Sequence, residues 1–163
     1  MEDRFTEIER KFLIESFPDN LKMKEAFQVY QAYLSTNPEV RIRRNVANGK
    51  DFSYFIAIKS DGVLARHEVE IPIGKDHFYA LSDMIEQPFI SKEFRIYELP
   101  SGLELECSLV DSGLTSEFMY AEVEFRSIEE AERFKPCFDY VGEITRCNDY
   151  KMKNYWKRTR EEK

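Results

Sequence analysis

Glutamates spaced two apart recur along this chain: Glu7/Glu9, Glu68/Glu70, Glu104/Glu106 and Glu122/Glu124. Basic residues follow a similar rule. Arg41 and Arg43 alternate with Val40 and Ile42, Lys59 ends "YFIAIK", and Arg66 opens "RHEVEI". Lys11 completes the opening "EIERK". A spacing of two places side chains on one face of an extended strand. Like charges gathered on neighbouring strands repel one another, so such clustering costs stability unless a counter-ion sits among them. Carboxylates in a row suit hard divalent cations such as Mg²⁺ or Mn²⁺. Arginine forks grip phosphate oxygens in pairs, and lysines act as compact point charges. The implied chemistry is a polyanion held together with divalent metal. The chain has no Gly-rich phosphate loop and no Ser-His-Asp or Cys-His arrangement. His67 alternates onto an apolar face and His77 falls in a helical pattern, so both read as structural.

The elements that must carry these residues are mostly strands. Strand-like segments run over Phe5–Ile14, Phe27–Leu34, Val40–Asn45, Phe52–Lys59, Ala65–Ile71, Phe94–Leu99, Leu103–Val110 and Glu117–Phe125. The turns "STNPE", "NGKD", "SDG" and "PSG" separate them, and short loops imply antiparallel neighbours. Helical spacing appears in "GKDHFYALSDMIEQP". It appears again in "SIEEAERF", behind a Ser127/Glu130 capping box, and in "NDYKMKNYWKR". Strand after strand has one apolar face and one charged face. Eight strands suffice to close a sheet. The sequence therefore predicts a mainly β (α+β) chain: an eight-stranded antiparallel closed barrel with apolar faces outward under flanking helices and charged faces inward.

The 163 residues suit a single domain spanning 1–163, with no linker or repeat. Hydrophobic residues at 42% exclude a disordered composition, and a net charge of −7 argues against a general nucleic-acid binder. No apolar run reaches membrane-spanning length, and the N-terminus lacks a signal peptide's layout. Cys107, Cys137 and Cys147 form no CxxC pair, which suits free thiols in a reducing compartment. A cytoplasmic location is expected.

The E-x-E-x-K of Glu7, Glu9 and Lys11 resembles the signature of the CYTH domains, or triphosphate tunnel metalloenzymes. The similarity continues in order through "QAYL", "VRIRR", "YFIAIK", "RHEVEI", "AEVEF" and "GEIT", covering nearly the whole chain. The resemblance implies a tunnel that binds a triphosphate with divalent cations. It makes Glu7, Glu9, Glu106, Glu122 and Glu124 the metal ligands. Lys11, Arg41, Arg43, Lys59, Arg66, Lys92 and Arg95 become the triphosphate-binding bases, with Glu7, Glu9 and Lys11 as the catalytic candidates. Lys92 and Arg95 lie three apart, so a regular strand turns them to opposite faces unless a bulge intervenes. The activity expected is metal-dependent hydrolysis of inorganic triphosphate or a small organic triphosphate, by a monomer or homodimer with no nucleic-acid or membrane partner. Two alternatives stand beside it: an adenylate cyclase of the same fold, and a polyphosphate- or nucleotide-binding module without turnover.

Overall fold

The computed structural model describes residues 4–162. Nine strands form one antiparallel sheet: β1 (Thr6–Ile14), β2 (Met23–Thr36), β3 (Glu39–Ala47), β4 (Lys50–Lys59), β5 (Ala65–Pro72), β6 (Ile90–Glu98), β7 (Glu104–Val110), β8 (Phe118–Glu124) and the two-residue β9 (Gly142–Glu143). Their order is β5-β4-β3-β2-β6-β7-β8-β1-β9, and β1 also pairs with β5. That last pairing closes eight strands into a barrel. It sets Glu7 opposite Arg66 across the seam. β9 runs beside the far half of β1, with Phe12 opposite Glu143.

Local chemistry explains the hairpins. Asn48 (φ 53°) and Gly49 (φ 74°) both occupy the left-handed region between β3 and β4. A two-residue hairpin turn with positive φ at both positions favours this Asn-Gly pair. The register it fixes keeps Arg41 and Arg43 on the same face as Lys59.

The apolar faces point outward, as the alternation predicts. Ile8, Phe12, Ile14, Leu105, Cys107 and Val123 form one buried cluster with Ala131 and Phe138. Ala131 lies on α2 (Ile128–Arg133), whose Ser127 hydroxyl accepts a hydrogen bond from the Glu130 N–H at 3.0 Å. Burying a side chain such as Phe12 completely contributes about 1.5–3 kcal/mol. A second cluster joins Ile42 and Phe78, the latter from α1 (Lys75–Ser82), to Tyr155 and Trp156 of α3 (Met152–Trp156).

The C-terminal segment covers one end of the barrel. Trp156 packs on inward-facing Tyr33 with ring centroids 5.8 Å apart. Arg160 donates to Asp111 at 2.6 Å, and the Tyr155 hydroxyl donates to the same carboxylate at 2.5 Å. The segment is not the single helix that its spacing predicts. A 3₁₀ turn (Asn148–Tyr150) breaks at Lys151, whose ψ of 133° is extended, before α3 and a π turn (Lys157–Glu161) follow. No helix among the described residues is long and apolar enough to cross a membrane.

Candidate active site

The barrel encloses a cavity of about 320 Å³, and its wall is built by alternation. β1 contributes Glu7, Glu9 and Lys11; β3 contributes Glu39, Arg41 and Arg43; β4 contributes Lys59; β5 contributes Arg66, Glu68 and Glu70. β6 contributes Lys92, β7 Glu106, and β8 Tyr120, Glu122 and Glu124. Acids gather where β7, β8 and β1 adjoin, because Glu122 lies opposite both Glu106 and Lys11, and Glu124 lies opposite Glu9. Among the described residues, eight acidic and seven basic side chains line this cavity.

The cations fall into two groups according to what holds them. Lys59 and Arg66 are held by carboxylates. Lys59 Nζ stands 3.1 Å from Glu7 and 2.9 Å from Glu68. Arg66 reaches Glu7 at 3.1 Å and Glu39 at 3.2 Å. Lys11, Arg43 and Lys92 are held by neutral groups. Lys11 Nζ donates to the Tyr150 carbonyl at 2.7 Å, Arg43 Nε to Asn45 Oδ1 at 2.9 Å, and Lys92 Nζ to the Tyr120 hydroxyl at 2.5 Å. Arg41 Nε is buried and has no hydrogen-bond partner among the described residues. A cation already matched to a carboxylate has little charge to offer a ligand. Those on neutral partners have no carboxylate paired with them, and burial pushes Lys11 and Arg43 down and Lys92 well down.

The acids separate in the same way. Burial opposes the charge on Glu7, but Lys59 and Arg66 outweigh it and hold its carboxyl down at about 2. Burial and the charges of Glu122 and Glu7 push Glu9 well up. Glu9 is hydrogen-bonded to Glu122, whose own value is lowered because Lys11 and that bond overcome its burial. Burial and the neighbouring carboxylates thus disfavour charge on Glu9, while Lys11 favours it on Glu122. Burial, with Glu122 and Glu124 nearby, raises Glu106 to about 7. Partial burial, with Glu7 and Glu68 nearby, raises Glu124 to about 7.

Comparison with known proteins now has a geometry to rest on. The chain is 36% identical over 151 residues to the inorganic triphosphatase of Nitrosomonas europaea, covering 91% of this chain and 95% of that one. The chain belongs to the family of that triphosphatase. A crystal structure of the inorganic triphosphatase NE1496 aligns with a TM-score of 0.62 at 32% identity, covering 91% of this chain and 93% of that one. HpAC1 from Hippeastrum, an adenylyl cyclase candidate described by its dominant triphosphatase activity, shares the fold at 17% identity and a TM-score of 0.56, over 77% and 82% of the two chains. No family model matches the sequence.

In this family member the barrel brings Glu7, Glu9, Lys11, Arg41, Arg43, Lys59, Arg66, Lys92, Glu106, Glu122 and Glu124 to one cavity. Arg95 is the exception and a correction. β6 begins at Ile90, not Phe94, and runs through Lys92–Arg95 in regular pairing with β7. With no bulge there, Lys92 turns inward and Arg95 outward, to Glu93 at 2.6 Å and over the Phe17 ring at 3.9 Å. Sequence reasoning did not single out Glu39, Asn45 or Tyr120. The first two share the parity of Arg41 and Arg43, and that parity was the available signal.

The raised acids predict a pH dependence. The values of Glu106 and Glu124, about 7, lie above the ordinary 4.5, so the folded chain binds these protons more tightly than the unfolded one. The resulting stability is full below about pH 4.5 and is lost as pH climbs through about 7. Glu7 acts oppositely, but its contribution changes only below about pH 4.5; Lys11 and Lys92, which burial pushes down, also act oppositely, so the comparison with Glu106→Gln isolates the acid. Melts in a metal chelator are expected to show a falling Tm from pH 5 to 8, with the fall reduced in Glu106→Gln. A Tm that stays flat or rises across that range contradicts these protonation states.

Proposed function

We propose that this chain is a divalent-metal-dependent triphosphatase of the triphosphate tunnel (CYTH) class, hydrolysing inorganic triphosphate inside its barrel. One observation carries the reading. The barrel cavity sets a row of mutually repelling carboxylates against cations that lack carboxylate partners. A triphosphate with divalent metal satisfies both walls at once. The close relative's activity supports the choice of substrate.

The donor set fits Mg²⁺ or Mn²⁺, which prefer carboxylate oxygens and retain waters. Among the described residues, no three His, Cys, Asp or Glu side chains are already drawn together as a metal site. Waters retained by the ion would bridge the remaining distance. Glu7 and Glu122 are held ionised, ready for a cation. Glu9, Glu106 and Glu124 resist ionisation for want of positive charge. Glu7, Glu9, Glu106, Glu122 and Glu124 would hold the metal, which when bound supplies charge neutralisation and an activated water.

The chain's own bases do the rest. Arg41 and Arg43 fork around phosphate oxygens, while Lys11 and Lys92 add point charges. Glu7 orients Lys59 and Arg66 as well as facing the metal. Phosphoryl transfer needs mainly such positioning and electrostatic stabilisation. The exposed free thiols of Cys137 and Cys147 suit a reducing cytoplasm.

Assaying the full chain with Mg²⁺ or Mn²⁺ against inorganic triphosphate, thiamine triphosphate and ATP tests the proposal. The expected outcome is phosphate release, fastest from inorganic triphosphate and absent in chelator. Cyclic nucleotide from ATP with inert triphosphate would favour the cyclase, and tight binding without turnover would favour the binding module.

A further inference from the structure

We infer that Tyr120 is a positioning residue that aims Lys11 and Lys92 at the triphosphate without pairing either to a carboxylate. The inference rests on the function proposed above. Tyr120 is only 1% exposed, and the Phe118 ring stacks against it with centroids 5.7 Å apart at 28°. Its hydroxyl accepts the Lys92 ammonium at 2.5 Å. Its ring face receives the Lys11 ammonium 4.0 Å from the centroid, with Lys92 at 5.1 Å. One side chain thus touches two cavity lysines, one from β1 and one from β6.

The contrast with Lys59 gives this contact its meaning. Lys59 is held by Glu7 and Glu68, which cancel its charge locally. A phenol and a ring face fix an ammonium through a hydrogen bond and a quadrupole, and neither carries a net charge. Both side chains are therefore placed without a carboxylate partner; burial disfavours their charge, and a phosphate arriving beside them favours it. β8 also carries Glu122 and Glu124 into the cavity, on the same face as Tyr120. Tyr120 thereby ties the placement of the anion-facing lysines to the same strand that places the acids.

The test compares Tyr120→Phe, which keeps the ring, with Tyr120→Leu, which loses ring and hydroxyl. Readouts are steady-state kinetics with inorganic triphosphate at saturating Mg²⁺, calorimetric titration of inorganic triphosphate, and thermal melts. Tyr120→Phe is expected to raise KM and Kd about tenfold, the scale of a hydrogen bond to a charged group. Tyr120→Leu should add roughly another threefold or more through the lost ring contact. In both, kcat should fall less than KM rises. In a Lys92→Met background, Tyr120→Phe should change little further, because the partner of the hydroxyl is gone. Wild-type KM and Kd in both variants, with only a lowered Tm, would reduce Tyr120 to packing. If Tyr120→Leu does not fold, Tyr120→Phe alone decides. A wild-type protein that neither binds nor cleaves triphosphate overturns the proposed function and this inference together; active wild type with unmoved variants overturns this inference alone.

Discussion

Replacing Glu9 by Gln is expected to lower triphosphate turnover by about 10²–10³-fold, the scale of losing one preorganised electrostatic group, while the barrel stays folded. Glu124→Gln should act in the same direction. Glu9 sits at the meeting of β1 and β8, opposite Glu124 and hydrogen-bonded to Glu122. Without its carboxylate the proposed metal would be under-coordinated and the triphosphate charge less neutralised. The metal-free protein should respond in the opposite sense. Gln keeps a donor toward Glu122 but removes a group that burial and the neighbouring acids disfavour in charged form. Its Tm in chelator is therefore expected to hold or rise, at about 2–4 °C per kcal/mol for a domain of this size. A Tm that falls while turnover survives identifies Glu9 as a structural ion-pair partner of Arg66, 3.8 Å away. Full activity of either variant at limiting Mg²⁺ removes its assigned role.

The barrel was legible in the sequence because its logic is local. Parity within "EIERK", "VRIRR" and "AEVEF" sorts each side chain to one face, and a strand cannot bury both an apolar and a charged row in the same place. Closure itself was argued from strand number, and the Glu7–Arg66 seam joins residues 59 apart. What parity could not give were partners distant in the chain. Arg95 finds Phe17 in the loop after β1, a destination no local pattern encodes. Tyr120 reads as an ordinary aromatic strand residue until Lys92, 28 residues earlier, is brought to its hydroxyl. The C-terminal helix was predicted from the spacing of Met152, Tyr155 and Trp156, and all three are buried. Its break at Lys151 answers to tertiary demands: the Lys151 ammonium donates to the Gly62 carbonyl at 3.0 Å. The division of cations into carboxylate-held and neutrally held groups was likewise invisible, because both groups share the same residue types.

That division sets the second large effect. Arg41→Ala is expected to weaken triphosphate binding by about 2–4 kcal/mol, the cost of truncating a buried charge-assisted contact, or about 30- to 1,000-fold in Kd. Among the described residues Arg41 makes no ion pair, and its buried Nε has no partner. Burial disfavours its charge, yet Tyr33 and more distant carboxylates, Glu39, Glu68 and Glu7, hold it firmly protonated. It is therefore a permanent cation with donors to spare. Arg41→Lys should recover only part of the loss, since the charge returns without the fork. The competing role is also concrete: the guanidinium stabilises the barrel by offsetting the Glu39, Glu68 and Glu7 charges. In that case Arg41→Ala lowers the Tm and leaves affinity intact. Titrating a non-hydrolysable triphosphate analogue into Arg41→Ala by calorimetry, beside its thermal melt, separates the two. A weakened Kd with a Tm near wild type assigns Arg41 to the ligand, and an unchanged Kd with a lowered Tm assigns it to the fold.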